Sequence, residues 1–330
     1  MSPKYRVAGI GNAIVDVISH SDESFLDVMG IEKGIMQLVE RDRAEILYAA
    51  MEDRLQAAGG SVANTIAGIG ALGLPTAFIG RVHDDHLGQF YAKAMAENGM
   101  DFVNPPVPGG ELPTSRSMIF VSPDGERSMN TYLGISAELG PEDVPESVPA
   151  DTDILFLEGY LFDKDKGKEA FLRAARLCHE AGGRAGITLS DPFCVDRHRE
   201  DFRRLIHEDM AFVIGNRDEW LSMYQTDDLE AALAQAAAEC DLVVCTRSGE
   251  PVVLVSGETR VEVPVQTVTP VDATGAGDQF AAGFLFGLAE GRDLETCGRM
   301  GVASAAEVIG HVGPRPEADM RTLYAEAGLL

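Results

Sequence analysis

The sequence predicts a three-layer α/β/α fold, in which helices cover both faces of a mostly parallel sheet. Two observations support this prediction. Short apolar runs alternate along the chain with longer segments of helical length and periodicity, and this alternation is typical of parallel sheets. The chain has 330 residues, of which 45% are hydrophobic, so it can bury a large core. We expect a single domain over residues 1–330.

Six apolar segments are predicted to be strands, because each is short and rich in β-branched residues. They are Val7–Ile10, Thr76–Ile79, Ile154–Leu157, Ala185–Leu189, Ala211–Ile214 and Leu242–Cys245. The helices predicted by periodicity are Asp42–Ala58, Thr65–Leu72, Asp165–Ala181, Leu229–Cys240, Gln279–Ala289 and Leu294–Val308. The first of them opens with an Asp-x-x-Glu capping pattern.

Two regions, about 14–40 and 104–135, interrupt the alternation of strands and helices. In the second, the run Ser117–Val121 leads through Pro123-Asp124-Gly125 into Ser128–Leu133, which predicts an antiparallel hairpin. We expect these regions to form a small β lid over the strand ends. A phosphotransfer enzyme needs such a lid to exclude water.

Charge and cysteine content exclude several classes of protein. The formal net charge of −26 disfavours binding to nucleic acid or to an anionic membrane, since both require a basic face. No apolar run approaches the roughly 20 residues of a membrane helix. The five cysteines contain no C-x-x-C pair, so reduced thiols are expected. We therefore predict a cytoplasmic protein.

The stretch Asp272–Asp278 places small residues and a carboxylate at the predicted start of an apolar helix. Gly275, Ala276 and Gly277 allow close approach of a ligand to the backbone, and free N–H groups at a helix N-terminus favour an anion. Asp278 could then act as a general base beside a phosphoryl group. Taken in isolation, this carboxylate is more readily explained as a helix cap.

Asn12 and Asp16 follow the first predicted strand, at the edge where open α/β sheets bind ligands. A carboxylate there suits vicinal hydroxyls, although a turn and a surface side chain are the simpler explanation. A dinucleotide-binding oxidoreductase is the rival α/β class, but Gly9-x-Gly11-x-x-Ile14 lacks the third glycine of that fingerprint.

Taken together, these motifs resemble the PfkB, or ribokinase-like, kinase family. Asp272–Asp278 resembles the C-terminal signature Asp-Thr-Thr-Gly-Ala-Gly-Asp, from which only Ala273 departs. The stretches 59–64 and 80–88 resemble the N-terminal signature, and 11–16 resembles the family's Gly-Asn-x-x-x-Asp start. The resemblance implies that Asp278 is the catalytic base and that residues 275–277 form the anion hole. It also implies that four residues, Asn12, Asp16, Gly60 and Asn64, hold the acceptor.

The same resemblance implies an ATP site and a magnesium site. Asn216 and Glu219 match the family's Asn-x-x-Glu motif, which organises Mg²⁺ through water near the phosphates. Thr246, Arg247 and Gly249 resemble its phosphate loop, although Ser248 and Pro251 stand where the family has glycine; a simple hairpin turn explains this loop nearly as well. The resemblance also implies that Gly277 binds ATP. Family members differ in their dependence on a monovalent cation such as K⁺ and in being monomers or homodimers.

The acceptor is suggested by Leu189–Phe193, which resembles the Leu-Ser-x-Pro-Phe segment of adenosine kinases. This implies transfer of the ATP γ-phosphoryl group to the 5′-hydroxyl of adenosine, giving AMP for purine salvage. The aromatic or apolar residues Met36, Phe120, Tyr160 and Phe162 are candidates to enclose the base, although each could equally belong to the core. A sugar kinase of the ribokinase or fructokinase type is the alternative, and a catalytically silent nucleoside sensor is a more distant one.

Overall fold

The computed structural model describes residues 3–330, which form one large and one small sheet. The strands are β1 (Tyr5–Ile10), β2 (Ile14–His20), β3 (Met36–Leu38), β4 (Leu55–Gly59), β5 (Thr76–Ile79), β6 (Asp101–Phe102), β7 (Ser115–Val121), β8 (Arg127–Tyr132), β9 (Thr152–Glu158), β10 (Arg184–Thr188), β11 (Phe212–Asn216), β12 (Leu242–Arg247), β13 (Glu250–Ser256) and β14 (Thr259–Val263). The α-helices are α1 (Glu23–Met29), α2 (Arg41–Ala50), α3 (Ser61–Ala71), α4 (His86–Glu97), α5 (Asp165–Glu180), α6 (Pro192–Asp209), α7 (Arg217–Tyr224), α8 (Leu229–Glu239), α9 (Ala276–Ala289), α10 (Leu294–Val308) and α11 (Met320–Glu326).

The large sheet has the strand order β14-β13-β12-β11-β10-β9-β1-β5-β6. Its strands from β12 to β6 pair in parallel, whereas β13 and β14 are antiparallel. Neighbouring residues of one strand pack on opposite faces: Val7 joins a core with α3 and α9, and Ala8 joins a core with α5 and α6. The three-layer α/β/α prediction is therefore confirmed.

The small sheet has the order β3-β8-β7-β2-β4. Its centre is the hairpin predicted from sequence, with β7 and β8 antiparallel and Arg116 opposite Tyr132. Strand β2 pairs in parallel with β7 and follows directly after β1. This connection holds the small sheet over the carboxyl ends of the large sheet's strands.

The prediction of one helix over Asp42–Ala58 was wrong beyond residue 50. Helix α2 ends at Ala50, Met51 has extended backbone angles, and Asp53 has a φ of 45°. The following segment becomes strand β4, which pairs antiparallel with β2. Leu, Gln and Ala at 55–58 are good helix formers, but pairing with the small sheet overrides that preference.

The described residues contain no helix that is both long and apolar enough to cross a membrane. All five cysteines are buried and free.

Candidate active site

A cavity of about 530 Å³ lies between the small sheet and the carboxyl ends of the large sheet's strands. Residues that follow β1, β9 and β11 reach it, as expected for an open α/β sheet. The N-termini of α3 and α9 also meet there, through Ser61 and Gly277.

Asp278, in the first turn of α9, is fixed by two side chains of α3. The Ser61 hydroxyl donates to Asp278 Oδ1 at 2.7 Å, and Asn64 Nδ2 donates to Oδ2 at 3.1 Å. Burial raises the pKa of the Asp278 carboxyl to about 6, although these two hydrogen bonds and the field of Arg315 act in the opposite direction. The side chain is therefore largely ionised at neutral pH and can accept a proton.

The turn before Asp278 presents free amides at the start of α9. Gly275 has a φ of 80°, and a Cβ there would lie 2.6 Å from Pro314 Cα, so the position requires glycine. The Ala276 N–H donates to the Ala273 carbonyl at 3.2 Å. Within residues 3–330, the N–H groups of Gly277 and Asp278 have no protein acceptor. The Gly275 N–H likewise has no acceptor among these residues, so the free amides of the turn are those of Gly275, Gly277 and Asp278.

The acceptor residues predicted from sequence meet on one side of the cavity. Asn12, Asp16, Gly60 and Asn64 all line it. Gly60 has a φ of 108°, and a Cβ there would lie 2.1 Å from the Asn12 carbonyl oxygen, so only glycine fits. Burial raises the pKa of Asp16 to about 6, against the fields of Arg127 and Arg315.

Glu158, at the end of β9, lies beneath this side of the cavity and was missed by the sequence analysis. Its carboxylate accepts from the Asn12 backbone N–H at 3.1 Å, from Asn12 Nδ2 at 2.8 Å and from the Val62 N–H at 3.0 Å. The residue is 1% exposed, and burial raises its pKa to about 7. A buried acidic residue ending an apolar strand was the available sequence signal.

Of the four predicted base-enclosing residues, two line the cavity and two do not. Met36 and Tyr160 line it. Phe120 is fully buried against Phe25. Phe162 stacks on Phe202 with ring centroids 4.2 Å apart, inside the core beside α5 and α6. Phe120 lies in β7, where neighbouring positions point to opposite sides, whereas Phe162 lies in the short 3-10 helix Gly159–Asp163, which directs it into the core.

Other apolar side chains, which sequence reasoning did not assign to the cavity, complete its walls. Leu38, Met129 and Leu133 face it from the small sheet side, and Phe193 faces it from the start of α6. Phe193 is 74% exposed, so its ring is available to contact a molecule in the cavity.

The predicted phosphate loop only partly reaches the cavity. Thr246 lines it. Arg247 Nε instead donates to the Pro251 carbonyl, and its guanidinium lies within 4 Å of Glu250 and Glu262. A Cβ built on Gly249 meets no atom within 4 Å, and this residue does not line the cavity. Arg247 and Gly249 therefore lie outside the cavity lining, in the hairpin between β12 and β13, where the carboxylates hold the arginine.

Comparisons with known proteins agree with this geometry. The family described as pfkB family carbohydrate kinase matches residues 33–320. The chain belongs to the pfkB family. It is accordingly a kinase, a phosphotransferase with an alcohol acceptor.

Similar pfkB proteins carry different names. A probable sugar kinase from Rhizobium etli CFN 42 has 45% sequence identity and a TM-score of 0.91, with 99% of this chain and 100% of that chain covered. An adenosine kinase from Sinorhizobium meliloti has 47% identity and a TM-score of 0.90, with 98% and 99% covered. A 5-dehydro-2-deoxygluconokinase from Bacillus licheniformis is 31% identical over 260 residues, with 76% of this chain and 80% of that protein covered.

Magnesium is the cofactor that pfkB kinases typically use, and Asn216 and Glu219 fit such an ion. They form a reciprocal capping box at the start of α7: Glu219 accepts from the Asn216 N–H at 2.8 Å and from Nδ2 at 2.6 Å. Burial is the main cause that raises the pKa of Glu219 to about 7, and the negative charge of Asp191 adds to it. A divalent cation would relieve this crowding of carboxylates, and oxygen donors suit Mg²⁺.

Proposed function

We propose that this protein transfers the γ-phosphoryl group of ATP to the 5′-hydroxyl of adenosine, giving AMP and ADP. The observation that carries the proposal is the cavity itself, in which a fixed carboxylate and free amides lie beside apolar walls. Purine salvage is the corresponding role in metabolism.

Asp278 is proposed to take the proton of the acceptor hydroxyl as the oxygen attacks the γ-phosphorus. The new O–P bond forms while the bond to the β-phosphate oxygen breaks, and ADP leaves. Ser61 and Asn64 hold the carboxylate in place. The amides of Gly277 and Asp278 stabilise charge on the transferred group, since phosphoryl transfer depends on positioning and electrostatics.

The phosphates of ATP are proposed to lie near Asn216, Thr246 and Gly277, which line one side of the cavity. Mg²⁺, held through water by Asn216 and Glu219, would neutralise phosphate charge when bound. Arg247 and Gly249 of the same loop are proposed to contact the phosphates only from outside the cavity lining. Dependence on a monovalent cation is not part of the proposal.

Charge in the cavity favours a neutral acceptor. Six carboxylates line it, from Asp16, Glu158, Asp163, Asp191, Glu219 and Asp278. Among the described residues, Arg197 is the one cationic side chain in the lining, and both Nε and Nη2 donate to Asp163. An acceptor that carries a carboxylate, such as a gluconate derivative, would meet repulsion here.

The apolar walls favour an acceptor with a flat base. Met36 and Leu38 are 44% and 53% exposed on the small sheet, and Phe193 is 74% exposed across the cavity. Burying these side chains against a purine would recover apolar surface. Asp16, Gly60 and Asn64 are then placed for the ribose hydroxyls, and Tyr160 lies beside them in the lining.

A sugar kinase is the second candidate, because the Rhizobium and Bacillus proteins are named for that activity. Glu158 is the feature of this chain that suits it. Its buried carboxylate borders the acceptor side of the cavity and could accept from a further sugar hydroxyl.

The experiment is ADP release from ATP and Mg²⁺ with one acceptor at a time: adenosine, inosine, ribose, fructose, fructose 6-phosphate and 5-dehydro-2-deoxygluconate. Asp278→Asn serves as the control for contaminating kinases. Turnover confined to adenosine, or much faster with it, would support the proposal. Turnover on a sugar alone would make that sugar the acceptor in place of adenosine, and the proposed kinase chemistry would stand.

Three further proposals accompany this function. The small sheet acts as a lid that excludes water from one kinase domain. A cytoplasmic location is supported by the five free thiols. The protein is proposed to be a monomer or a homodimer. The edge strands β3 and β4 of the small sheet carry the exposed residues Leu38 and Leu55, which are compatible with either state.

A further inference from the structure

Arg315 lies in the segment between α10 and α11, which the sequence analysis did not connect with the cavity. Its Nη2 donates to the Ala58 carbonyl at 2.6 Å, and its Nε donates to Asn64 Oδ1 at 3.4 Å. Within residues 3–330, no carboxylate lies within 4 Å of its guanidinium. A largely buried arginine without an ion-pair partner is costly unless its charge has a function.

We propose that Arg315 is a positioning residue for the catalytic base: it orients the Asn64 amide toward Asp278 and supplies positive charge to the carboxylates of the acceptor site. This inference rests on the proposed role of Asp278 as general base.

The orienting step follows from the two ends of the Asn64 amide. Arg315 binds Oδ1 at 3.4 Å, so Nδ2 must point the other way, where it donates to Asp278 Oδ2 at 3.1 Å. Without Arg315, the amide could turn over and present its oxygen to the carboxylate. A turned amide would both remove a hydrogen bond and repel the base.

The electrostatic step concerns several groups packed around Arg315. Burial raises the pKa values of Asp278 on α9 and Asp16 on β2, and the charge of Arg315 acts against that rise at both. The same charge acts on Tyr91 of α4. Arg127 of β8 acts on Asp16 in the same direction. Glu158 on β9 and Tyr160 after it feel the negative charge of Asp278. Asp278 therefore has Arg315 as its cationic neighbour in an otherwise acidic group.

The test combines Arg315→Gln, which keeps a donor for the Ala58 carbonyl but removes the charge, with Arg315→Lys, which keeps the charge but loses the planar fork. The pKa of Asp278 is measured directly by carbon NMR on aspartate labelled at the carboxyl carbon, with Asp278→Asn used to assign the resonance. Acid limbs of kcat/KM are measured on the same proteins. The NMR measurement does not depend on the identity of the acceptor, so it separates failure of this inference from failure of the proposed function.

Arg315→Gln is expected to raise the pKa of Asp278, and the acid limb with it, by roughly one unit. Arg315→Lys should raise the pKa less than Arg315→Gln does, because it keeps the charge and loses only the hold on Asn64, whose hydrogen bond favours the ionised Asp278. It should also lower kcat about tenfold, because Asn64 is no longer held. The matched control is Arg321→Gln, since Arg321 Nη1 also donates to a backbone carbonyl near α3, that of Leu72 at 2.7 Å, but away from the cavity. It should leave pKa and kcat unchanged.

An unchanged Asp278 pKa in folded Arg315→Gln would overturn the electrostatic step, and full kcat in Arg315→Lys would overturn the orienting step. If the glutamine variant does not fold, the lysine variant decides alone. A slightly raised pKa with reduced kcat in it would support the proposal, whereas an unchanged pKa with full kcat would contradict it. Equal losses in the Arg315 and Arg321 variants would show a structural role only.

Discussion

Arg127 Nη1 lies 2.5 Å from Asp272 Oδ2, and both side chains are 8% exposed. The pair joins strand β8 of the small sheet to the turn that carries the free amides. Asp272 also accepts from the N–H groups of Thr274 at 2.9 Å and Gly313 at 3.0 Å. We therefore expect a change in the position of the small sheet to move the turn beside Asp278.

Arg127→Met should weaken both stability and turnover. It leaves the Asp272 carboxylate buried without its cation, which costs about 3 kcal/mol of the free energy of unfolding. We expect kcat to fall about tenfold because the amides move. Urea unfolding and steady-state kinetics measure the two effects. Arg116→Met is the control, since Arg116 pairs with Glu45 of α2 at 2.7 Å. It should lower stability and leave kcat intact; equal kcat losses would contradict the coupling.

The pH dependence of turnover should show an acid limb near pH 6. Burial raises the pKa of Asp278 to about 6, so the base becomes protonated as the pH falls through that value. We expect kcat/KM to decline about tenfold per unit below it. Ser61→Ala removes a hydrogen bond to the ionised carboxylate and should move the limb to higher pH. A limb near pH 4 would mean that an ordinary exposed carboxylate controls the rate.

Glu158 should make the protein less stable as the pH rises from about 4.5 to about 7. Its pKa in the folded protein is raised from 4.5 to about 7, so across this window the folded state binds more protons than the unfolded state. The wild type should lose about 2 kcal/mol more free energy of unfolding than Glu158→Gln across this window. Urea titrations at both pH values measure the difference. Parallel losses would show that the carboxyl titrates normally.

Phe193 and Phe162 offer a matched test of the base pocket. Phe193 lines the cavity and is 74% exposed, whereas Phe162 is 2% exposed in the core. Phe193→Ala should raise the KM for adenosine about tenfold with little change in Tm, since it removes contact with the base. Phe162→Ala should cost about 3 kcal/mol of stability and spare the KM. The opposite pattern would remove Phe193 from the pocket.

The parts of the site that were predictable from sequence are local ones. Gly60 and Gly275 needed glycine for their positive φ, and Asp278 follows its turn within one helix start. Such requirements are written into a few consecutive residues.

The remaining parts depend on which strand pairs with which. Phe120 and Phe162 were assigned by residue type, but strand register directs Phe120 into the core and the 3-10 helix after β9 directs Phe162 there. The partners of Arg127 and Arg315 are 145 and 251 or more residues away in sequence, so no local pattern indicates them. The same holds for the strand at 55–59, whose helical composition is overridden by pairing with β2.

The role of Asp278 as the base is tested by AMP formation from adenosine and ATP by Asp278→Asn, measured beside equilibrium binding of adenosine. We expect binding within a few-fold of the wild type and a loss of about 10³ in kcat, since the asparagine fills the same space but cannot take the proton. Near-normal kcat in this variant would remove Asp278 as the base and contradict the mechanism.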